Sequence, residues 1–356
     1  MSEKRTDARN VRAGNRTVRI SRPEKVLFPD DGISKWDLVD YYRSVSRRII
    51  PQLRGRPLMM ERHPDGIGGT PLMQKNAPDH FPDWVRRAVL PKEGGKVTHV
   101  VCDDTATLLY LADQACVTPH RWLSRADRPD HPDRLVIDLD PPSPEESGSE
   151  ESGSEKSGSE AGSEASGSEA SGSEASGSEA SGSEASGSES GFEEVRWAAR
   201  RCCALLGELG LPGLLMTTGS RGLHVIVPLD RRADFDTVRS FAHEAAGLLA
   251  ARHPDRLTTE PRKANRRGRL YLDVQRNGYA QTAVTPYAVR ARPGAPVATP
   301  IDARELDDPE LRSDRWTLRT VGERLADDPW ARTDTRGRSL RAPRERLRRL
   351  AEDEAG

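Results

Sequence analysis

An apolar run that ends in two acidic residues constrains the fold of this chain more than any other stretch. Leu135, Val136 and Ile137 have the composition of a buried strand, and Asp138 and Asp140 follow before two prolines stop it. Because side chains alternate across a strand, the two carboxylates share one face. Ionised carboxylates repel each other, so the pair predicts a site for a hard cation such as magnesium or manganese. The alternative is a solvated turn at the end of a strand.

A third acid lies at the end of another predicted strand. Asp273 ends an apolar run that follows the basic residues 263–269, and the extended segment 282–287 leads on to Arg290. Acids on two strands with basic groups around them are typical of two-metal phosphoryl transfer, in which the acids hold the ions and the basic groups hold a triphosphate.

A glycine-bounded turn is predicted between the strands at 214–218 and 223–229. It contains Ser220 and Arg221, and His224 lies one step into the second strand. Such a turn exposes backbone N–H groups that can bind an anion, and the alternative is an ordinary hairpin turn. His120 falls between two predicted strands, where site residues are frequent, although a lone histidine is usually structural.

A helix start with two lysines beside it is a further candidate site. Ser34 is the predicted N-cap, with Asp37 three residues on, and Lys25 and Lys35 flank this start. The arrangement predicts either a phosphate site or a solvated loop.

The charge is distributed unevenly along the chain. The net charge is −1, but the twelve Glu and single Lys of residues 143–190 carry −11, which leaves +10 for the rest. A basic body with a separate acidic tract fits a polyanionic partner such as nucleic acid, and a soluble enzyme with a modestly basic surface is the alternative.

Composition also divides the chain into segments. Residues 1–16 are polar and predict a disordered tail, and the Ser-Gly-Ser-Glu-Ala repeats of 143–190 predict a disordered insert within a domain at 17–335. Residues 336–356 form a charged tail with a helical pattern. The first residues lack the apolar core of a secretory signal, no stretch reaches the length of a membrane span, and the four cysteines form no C-x-x-C motif. We therefore expect a soluble, cytoplasmic protein.

Four motifs together resemble a known family. They are D-L-D at 138–140, T-T-G-S-R-G-L-H-V-I-V-P-L at 217–229, L-Y-L-D-V-Q-R-N at 270–277 and T-P-Y-A-V-R-A-R-P-G-A-P-V at 285–297. In this order they resemble the polymerase domain of bacterial DNA ligase D, which belongs to the archaeo-eukaryotic primase superfamily and serves non-homologous end joining. The resemblance runs from about residue 17 to about 335, apart from the insert.

The resemblance implies a fold and a set of site residues. The implied fold is α+β, a primase-polymerase fold with two mixed β-sheet subdomains flanked by helices and the catalytic acids on central strands. Asp138, Asp140 and Asp273 would be the catalytic, metal-binding acids, and Lys25 and Lys35 would grip the 5′-phosphate of a DNA gap. The implied nucleotide-binding residues are His120, Thr218, Ser220, Arg221, His224, Arg266 and Arg290.

The chain departs from the family pattern at several positions. Thr218 stands where serine is frequent, and Leu72 and Met73 stand where aromatic residues are frequent, so stacking on the template base would be made differently. Thr118 stands where an acid commonly precedes the pocket histidine by two positions, which leaves the orientation of His120 open.

The implied activity is template-directed nucleotidyl transfer at gaps and broken DNA ends, with ribonucleotides preferred over deoxyribonucleotides and with two divalent cations, manganese or magnesium. The implied partners are DNA with a 5′-phosphate, nucleoside triphosphates, Ku and a separate ATP-dependent DNA ligase. Because the sequence contains no K-x-D-G ligase signature, we expect a free-standing polymerase. As a DNA-binding protein it would be associated with the nucleoid.

Two alternatives come from other classes of protein. The first is a metal-dependent glycosyltransferase, in which D-x-D would bind a sugar nucleotide, but it leaves Asp273 and the paired lysines unexplained. The second is a catalytically idle module that bridges DNA ends, against which the intact acids argue.

Overall fold

The structure, a computed structural model, describes residues 8–141 and 189–355. The α-helices are α1 (Lys35–Leu53), α2 (Thr105–Asp113), α3 (Glu189–Glu208), α4 (Phe235–Arg252), α5 (Gly322–Leu325) and α6 (Arg341–Ala355). The strands are β1 (Ala8–Ala13), β2 (Arg16–Ser21), β3 (Val26–Phe28), β4 (Ile33–Ser34), β5 (Leu58–Arg62), β6 (Leu72–Gln74), β7 (Arg87–Lys92), β8 (Gly95–Val100), β9 (Cys116–Trp122), β10 (Arg134–Leu139), β11 (Leu214–Thr217), β12 (Leu223–Pro228), β13 (Leu257–Thr258), β14 (Leu270–Asp273), β15 (Thr282–Val284) and β16 (Thr299–Ile301). Within these ranges, every helix is too short or too polar to cross a bilayer.

Two larger sheets form the body of the protein. One has six strands in the order β13-β14-β10-β12-β11-β16, and the other has four in the order β15-β9-β5-β6. The α+β class, the two sheets and the interior position of the strands that carry Asp138 and Asp273 confirm the predicted fold. One detail differs, because only the six-stranded sheet is mixed, through its parallel β13–β14 pair, whereas the four-stranded sheet is antiparallel throughout.

The two faces of β10 pack against different parts of the molecule. Ile137 joins an apolar core with residues of α3, α4 and α6. Val136, on the opposite face, joins a smaller core that includes Ala283 and Val284 of β15, in the four-stranded sheet. Because side chains alternate along a strand, Asp138 shares the face of Val136. The acid side chain therefore lies on the side of the six-stranded sheet that meets the four-stranded sheet.

Helix α1 begins where the sequence predicts. Ser34 accepts a hydrogen bond from the backbone N–H of Asp37, and the side chain of Asp37 accepts one from the backbone N–H of Ser34, which forms a capping box. The apolar face of α1, which includes Leu38, Tyr42 and Val45, is buried, and Tyr42 donates to the carbonyl oxygen of Val117 on β9 at 2.6 Å. The cap and the stripe together fix α1 against the four-stranded sheet.

The N-terminal tail is shorter than the sequence predicts. Residues 8–13 form β1, which pairs antiparallel with β2, so the expectation of disorder up to residue 16 is wrong for this part. Val11 and Ala13 are buried in the same core as α1 and α2, because alternate residues of the hairpin face these helices. Residues 1–7 lie outside the described residues.

The C-terminal segment packs on the six-stranded half. Helix α6 lies within the charged tail predicted at 336–356, and its Leu347 is 2% exposed in the core beside α3 and α4. Arg346 donates to the carbonyl oxygen of Leu209 at 2.9 Å. The insert predicted at 143–190 lies outside the described residues except for its last two, which begin α3.

Candidate active site

Three neighbouring strands carry a row of titratable side chains. In the ladder, Asp138 of β10 stands directly opposite Asp273 of β14 on one side and His224 of β12 on the other. Directly opposed residues of an antiparallel pair project to the same face with Cα atoms about 4.5–5.5 Å apart. The pairing therefore brings together side chains that are 135 positions apart in the sequence.

Asp138 is the more buried of the two acids in this row, at 4% exposure. Its Oδ2 accepts a hydrogen bond from Nε of Arg276 at 2.8 Å. Its Oδ1 lies 3.4 Å from Nε2 of His224 and accepts no hydrogen bond from the described residues. Burial acts to raise the pKa of Asp138, but His224 and Arg276 outweigh burial and hold the pKa well below its usual range. The carboxylate is therefore ionised, with one buried oxygen available to a cation.

The pKa of Asp273 is shifted in the opposite direction to that of Asp138. Burial and the charge of Asp138 raise its pKa, although its Oδ1 accepts a hydrogen bond from the backbone N–H of Gln275 at 2.7 Å. Two carboxylates on adjacent strands thus repel each other. A divalent cation between them would remove this repulsion, and hard oxygen donors suit such an ion.

Arg276 forms an ion pair with Asp138 and lies within the electrostatic reach of the other two acids. The charge of Asp138, followed by those of Asp273 and Asp140, raises the pKa of its guanidinium far above the usual range. Asp140 lies two residues beyond Asp138, at an exposed position at the end of β10. Within the described residues, no three His, Cys, Asp or Glu side chains already converge as a ready metal site. Sequence analysis missed Arg276, whose position in the row depends on the β10–β14 pairing.

His120 lies across from this row, on strand β9 and not between strands as predicted. Its Nε2 lies 2.8 Å from Oε2 of Glu61, and the other oxygen of Glu61 lies 3.2 Å from Nε2 of His63. Burial lowers the pKa of His120, Glu61 acts to raise it, and the charges of Arg290 and Arg276 lower it further. The histidine thus lies within the electrostatic reach of both arginines.

Glu61 is a second residue that sequence analysis missed. It stands directly opposite Thr118 in the β5–β9 ladder. An acid at the position of Thr118 would share the face of His120, and Glu61 supplies the carboxylate from the neighbouring strand. Burial acts to raise the pKa of Glu61, but the hydrogen bonds from His120 and His63 outweigh it and lower the pKa far below its usual range. In the sequence, a partner for His120 was indicated only by the absence of an acid at the position of Thr118. That absence did not show which residue supplies the carboxylate.

The predicted turn at 219–222 joins two antiparallel strands, β11 and β12. The hydroxyl of Thr218 lies inside the turn, where it accepts from the backbone N–H groups of Ser220 and Gly222 at 3.3 and 3.2 Å. Arg290 donates to the carbonyl oxygen of Thr218 at 3.1 Å. Thr218 therefore holds the shape of the turn, whereas Ser220 is half-buried and Arg221 is exposed.

Arg266 lies at the edge of the acid row. Its guanidinium stacks over the ring of Tyr271 at 4.4 Å. Its charge acts to lower the pKa of Asp273, against the larger effect of burial, which raises it. It also donates to the carbonyl oxygen of Pro261 at 2.8 Å. These contacts hold the guanidinium group of Arg266 beside β14.

The two lysines at the start of α1 have different surroundings. Lys35 is 3% exposed, and its Nζ donates to the carbonyl oxygen of Ser21 at 2.6 Å and to Asp113 at 3.2 Å. Lys25 is half-buried, hydrogen-bonded to the carbonyl oxygen of Pro64 and 3.6 Å from Asp65. Burial lowers the pKa of Lys35, and the charges of Arg22 and Lys25 lower it further although Asp113 raises it. The structure therefore turns Lys35 inward and leaves Lys25 nearer the surface.

Comparison with known proteins identifies the family of the chain. The family model described as "LigD, primase-polymerase domain" matches residues 34–150 and 187–330, which is more than half of the chain. The multifunctional non-homologous end joining protein LigD of Pseudomonas aeruginosa is 29% identical over 343 residues, which cover 95% of this chain and 35% of that protein. The bifunctional non-homologous end joining protein LigD of Bacillus subtilis is 26% identical, over 85% of this chain and 41% of that protein.

A solved structure agrees with this match. The polymerase domain of Mycobacterium tuberculosis ligase D, in complex with DNA, is 26% identical and superposes with a TM-score of 0.69 over 86% of this chain and 93% of that chain. This chain thus spans 35–41% of the length of these two curated relatives but nearly all of the solved polymerase domain. It belongs to the family of LigD primase-polymerase domains, which are nucleotidyltransferases of the DNA-directed polymerase type.

Proposed function

We propose that this chain is a repair polymerase of bacterial non-homologous end joining that adds nucleotides, preferentially ribonucleotides, to a primer at gaps and DNA ends. The observation that carries the proposal is the row of Asp273, Asp138 and His224 across three strands, with Arg276 beside it. Acids that share a face with cationic groups around them are the parts that phosphoryl transfer requires. The names of the relatives mention non-homologous end joining, and the solved structure of the similar polymerase domain is a complex with DNA. Both support the proposed pathway and substrate.

Asp138, Asp140 and Asp273 would bind two divalent cations, magnesium or manganese. The unpaired, buried Oδ1 of Asp138 and the raised pKa of Asp273 support this assignment, because a bound cation would satisfy the first and relieve the second. When bound, such ions would favour ionisation of the primer hydroxyl and neutralise charge on the triphosphate. Arg276 and His224 contribute by keeping the carboxylate of Asp138 ionised.

The triphosphate would lie between the acid row and the turn at 219–222. Arg290 and His120 would contact it from one side and Ser220, Arg221, His224 and Arg266 from the other, while Thr218 positions Ser220 through the turn. Cations and N–H donors held by surrounding contacts can bind the phosphate oxygens without rearranging. Glu61 would orient His120.

Lys25 and Lys35 would recognise the 5′-phosphate at the far side of a DNA gap. Lys25 would contact the phosphate, and the buried charge of Lys35 would raise the local positive potential. Lys25→Gln should therefore reduce the preference for 5′-phosphorylated over unphosphorylated gaps by about tenfold while the unfolding temperature stays unchanged. The measurement is the dissociation constant for the two DNAs, with Arg43→Gln on the exposed face of α1 as the control. An unchanged preference would remove Lys25 from this role.

The cellular setting follows from the same proposal. The protein would act in the cytoplasm at the nucleoid, on ends that Ku binds, and a separate ATP-dependent ligase would seal the product.

The central experiment is primer extension on a gapped, 5′-phosphorylated duplex, with ribonucleotides or deoxyribonucleotides and with magnesium or manganese. Wild-type protein should extend the primer only with a divalent cation and faster with ribonucleotides. Asp138→Asn should reduce the rate by on the order of a thousandfold, because the carboxylate at the centre of the row is lost. Asp236→Asn, an exposed acid on α4, is the matched control and should be fully active.

Near wild-type extension by Asp138→Asn would refute the assignment of the acids. DNA binding without metal-dependent incorporation by the wild type would favour an end-bridging module, and DNA-independent turnover of a sugar nucleotide would favour a glycosyltransferase.

A further inference from the structure

A cluster of arginines surrounds one carboxylate at the end of β10 opposite to the acid row. Both oxygens of Asp133 accept from Nη2 of Arg56 at 2.6 Å, and Oδ2 also accepts from Nε of Arg125 at 3.0 Å. Nε of Arg134 lies 3.7 Å from Oδ1. Arg121, which is 1% exposed, donates to Gln52. Several guanidinium groups thus share the charge of one carboxylate.

The burial of these cations is incompletely compensated. Burial, and then the charge of Arg56, lowers the pKa of Arg134 to about 10. Burial, and then the charge of Arg134, lowers the pKa of Arg121 well below its usual range. Nε of Arg134 is buried and donates no hydrogen bond to the described residues. An additional anion beside the cluster would therefore be stabilised, because a buried charge is costly unless it is paired.

A cavity of about 480 Å³ lies directly against this cluster. Its charged lining residues are Arg48, Arg125, Arg134, Arg231, Asp133 and Asp328. Arg48 is paired with Asp328 and Arg231 with Asp127. Arg125 and Arg134, by contrast, share the single carboxylate of Asp133 with the buried Arg56. Leu214, Pro228 and Trp330 provide an apolar wall. The volume falls in the usual range for small-molecule sites.

This cavity is separate from the candidate active site. Arg134 begins β10 and Asp138 lies near its end, so the two sites are about 13 Å apart along the strand. None of the residues that line the cavity belongs to the acid row or the nucleotide turn.

We propose that this cavity binds a small ligand that carries a phosphate or diphosphate group, with Arg134 and Arg125 contacting the oxyanion and the apolar wall contacting the rest of the ligand. Arginine forks match the oxygens of such groups and bind them more strongly than neutral donors do. A concave site with an apolar wall beside its arginines suits a free small molecule better than the backbone of a duplex. The proposal does not depend on the proposed function.

The test is calorimetric titration of inorganic pyrophosphate into the full chain, without divalent cations and at constant ionic strength. Arg134→Met should weaken pyrophosphate binding by about tenfold or more, because it removes a charged donor. Arg290→Met, in the candidate active site, should keep the binding that depends on Arg134 and should lose only pyrophosphate bound beside the acid row. Primer extension by Arg134→Met should stay at the wild-type rate, which separates this site from the proposed active site.

The unfolding temperature of Arg134→Met shows whether the variant folds. We expect no decrease, because the substitution removes a cation that lacks a hydrogen-bonded partner at Nε. If this variant does not fold, Arg48→Gln at the edge of the cavity provides the same test, with an expected loss of about threefold.

Three outcomes would overturn the proposal. The first is a wild-type protein that does not bind pyrophosphate. The second is binding that Arg290→Met abolishes and Arg134→Met leaves intact, because the anion would then lie in the candidate active site. The third is a protein that does not bind pyrophosphate but binds a gapped duplex, with Arg134→Met weakening the binding of the duplex. The ligand of the cavity would then be the DNA backbone.

Discussion

The carboxylate of Glu61, on β5, bridges His63, two residues further along the chain, and His120 on the neighbouring strand β9. The resemblance to the family implies an acid at the position of Thr118, and the cross-strand partner of Thr118 is Glu61 itself. The contact that was expected along one strand is therefore made across two strands in this chain. The orientation of His120, which the sequence left open, is explained by this exchange.

Replacement of Glu61 by Gln should leave the orientation of His120 less fixed, while the other nucleotide-binding side chains stay in place. We expect the KM for the incoming nucleotide to rise about tenfold, with a smaller change in kcat, because a charge-assisted hydrogen bond is lost. Steady-state extension kinetics measure both constants. Thr118→Asp on the Glu61→Gln background should recover most of the loss, since it returns an acid to the same face. Unchanged kinetics in the single variant would show that His120 needs no such partner.

The paired acids of the row should differ in their effect on stability. The folded-state pKa of Asp273 is raised, so the fold prefers its protonated form and the ionised form opposes folding at neutral pH. Asp273→Asn should therefore raise the unfolding temperature in chelator at pH 7.5 by about 2 °C. This gain should disappear as the pH falls towards about 4, the pKa of an unfolded Asp.

The matched variant is Asp138→Asn, for which the sign is reversed. The folded-state pKa of Asp138 is lowered, so its ionised form stabilises the fold above pH 4 and that contribution is lost as the pH falls. Asp138→Asn should lower the unfolding temperature because it leaves Arg276 without its carboxylate. Thermal unfolding of both variants across pH tests the pair, and a shift of the same sign in both would contradict it.

Among the larger elements, the turn between β11 and β12 depends on a close approach. A Cβ on Gly222 would lie 1.9 Å from the carbonyl oxygen of Leu139 and 2.5 Å from Oδ1 of Asp140. Both are far inside van der Waals contact. A glycine at this position therefore allows the turn to lie against the end of the acid strand.

Gly222→Ala should displace the turn from β10. We expect a loss of about 3 kcal/mol in the free energy of unfolding and a much lower extension rate, because the clash involves backbone and a site carboxylate. Gly207→Ala in α3 is the control, since its Cβ would meet nothing within 4 Å, and it should be neutral or stabilising. Chemical denaturation and primer extension measure the two effects. A stable, active Gly222→Ala variant would show that the turn can shift freely.

For the protein as a whole, the charge of the insert should modulate DNA binding. Residues 143–190 carry −11 against +10 for the rest of the chain, and binding to DNA depends strongly on the charge that meets the phosphates. Deletion of residues 144–187, ahead of α3, should tighten binding to a gapped duplex about tenfold at low salt and much less at high salt. Fluorescence anisotropy across salt concentrations provides the measurement.

A variant that keeps the length of the insert but changes its Glu residues to Gln is the control for chain entropy. It should reproduce the tighter binding. An unchanged affinity in both variants would indicate that the insert has no electrostatic role.

Local features of the fold could be predicted from the sequence because their causes are local. The apolar run at 135–137 and the acids after it, the capping box of Ser34 and Asp37, and the glycine-bounded turn at 219–222 each depend on a few neighbouring residues. The α+β class was implied by the resemblance to the family, which the four motifs carry. The sequence also singled out Asp138 and Asp273 for one site, although not their register.

Only the tertiary structure decided which side chains meet. Strand order and register place Asp138 between Asp273 and His224, set Glu61 opposite Thr118 and bring Arg276 to the acids. The packing of the β1–β2 hairpin turned part of a predicted tail into a strand and turned Lys35 inward. The physical reason is that strand pairing and burial depend on residues far apart in the chain, whose contacts no local pattern encodes.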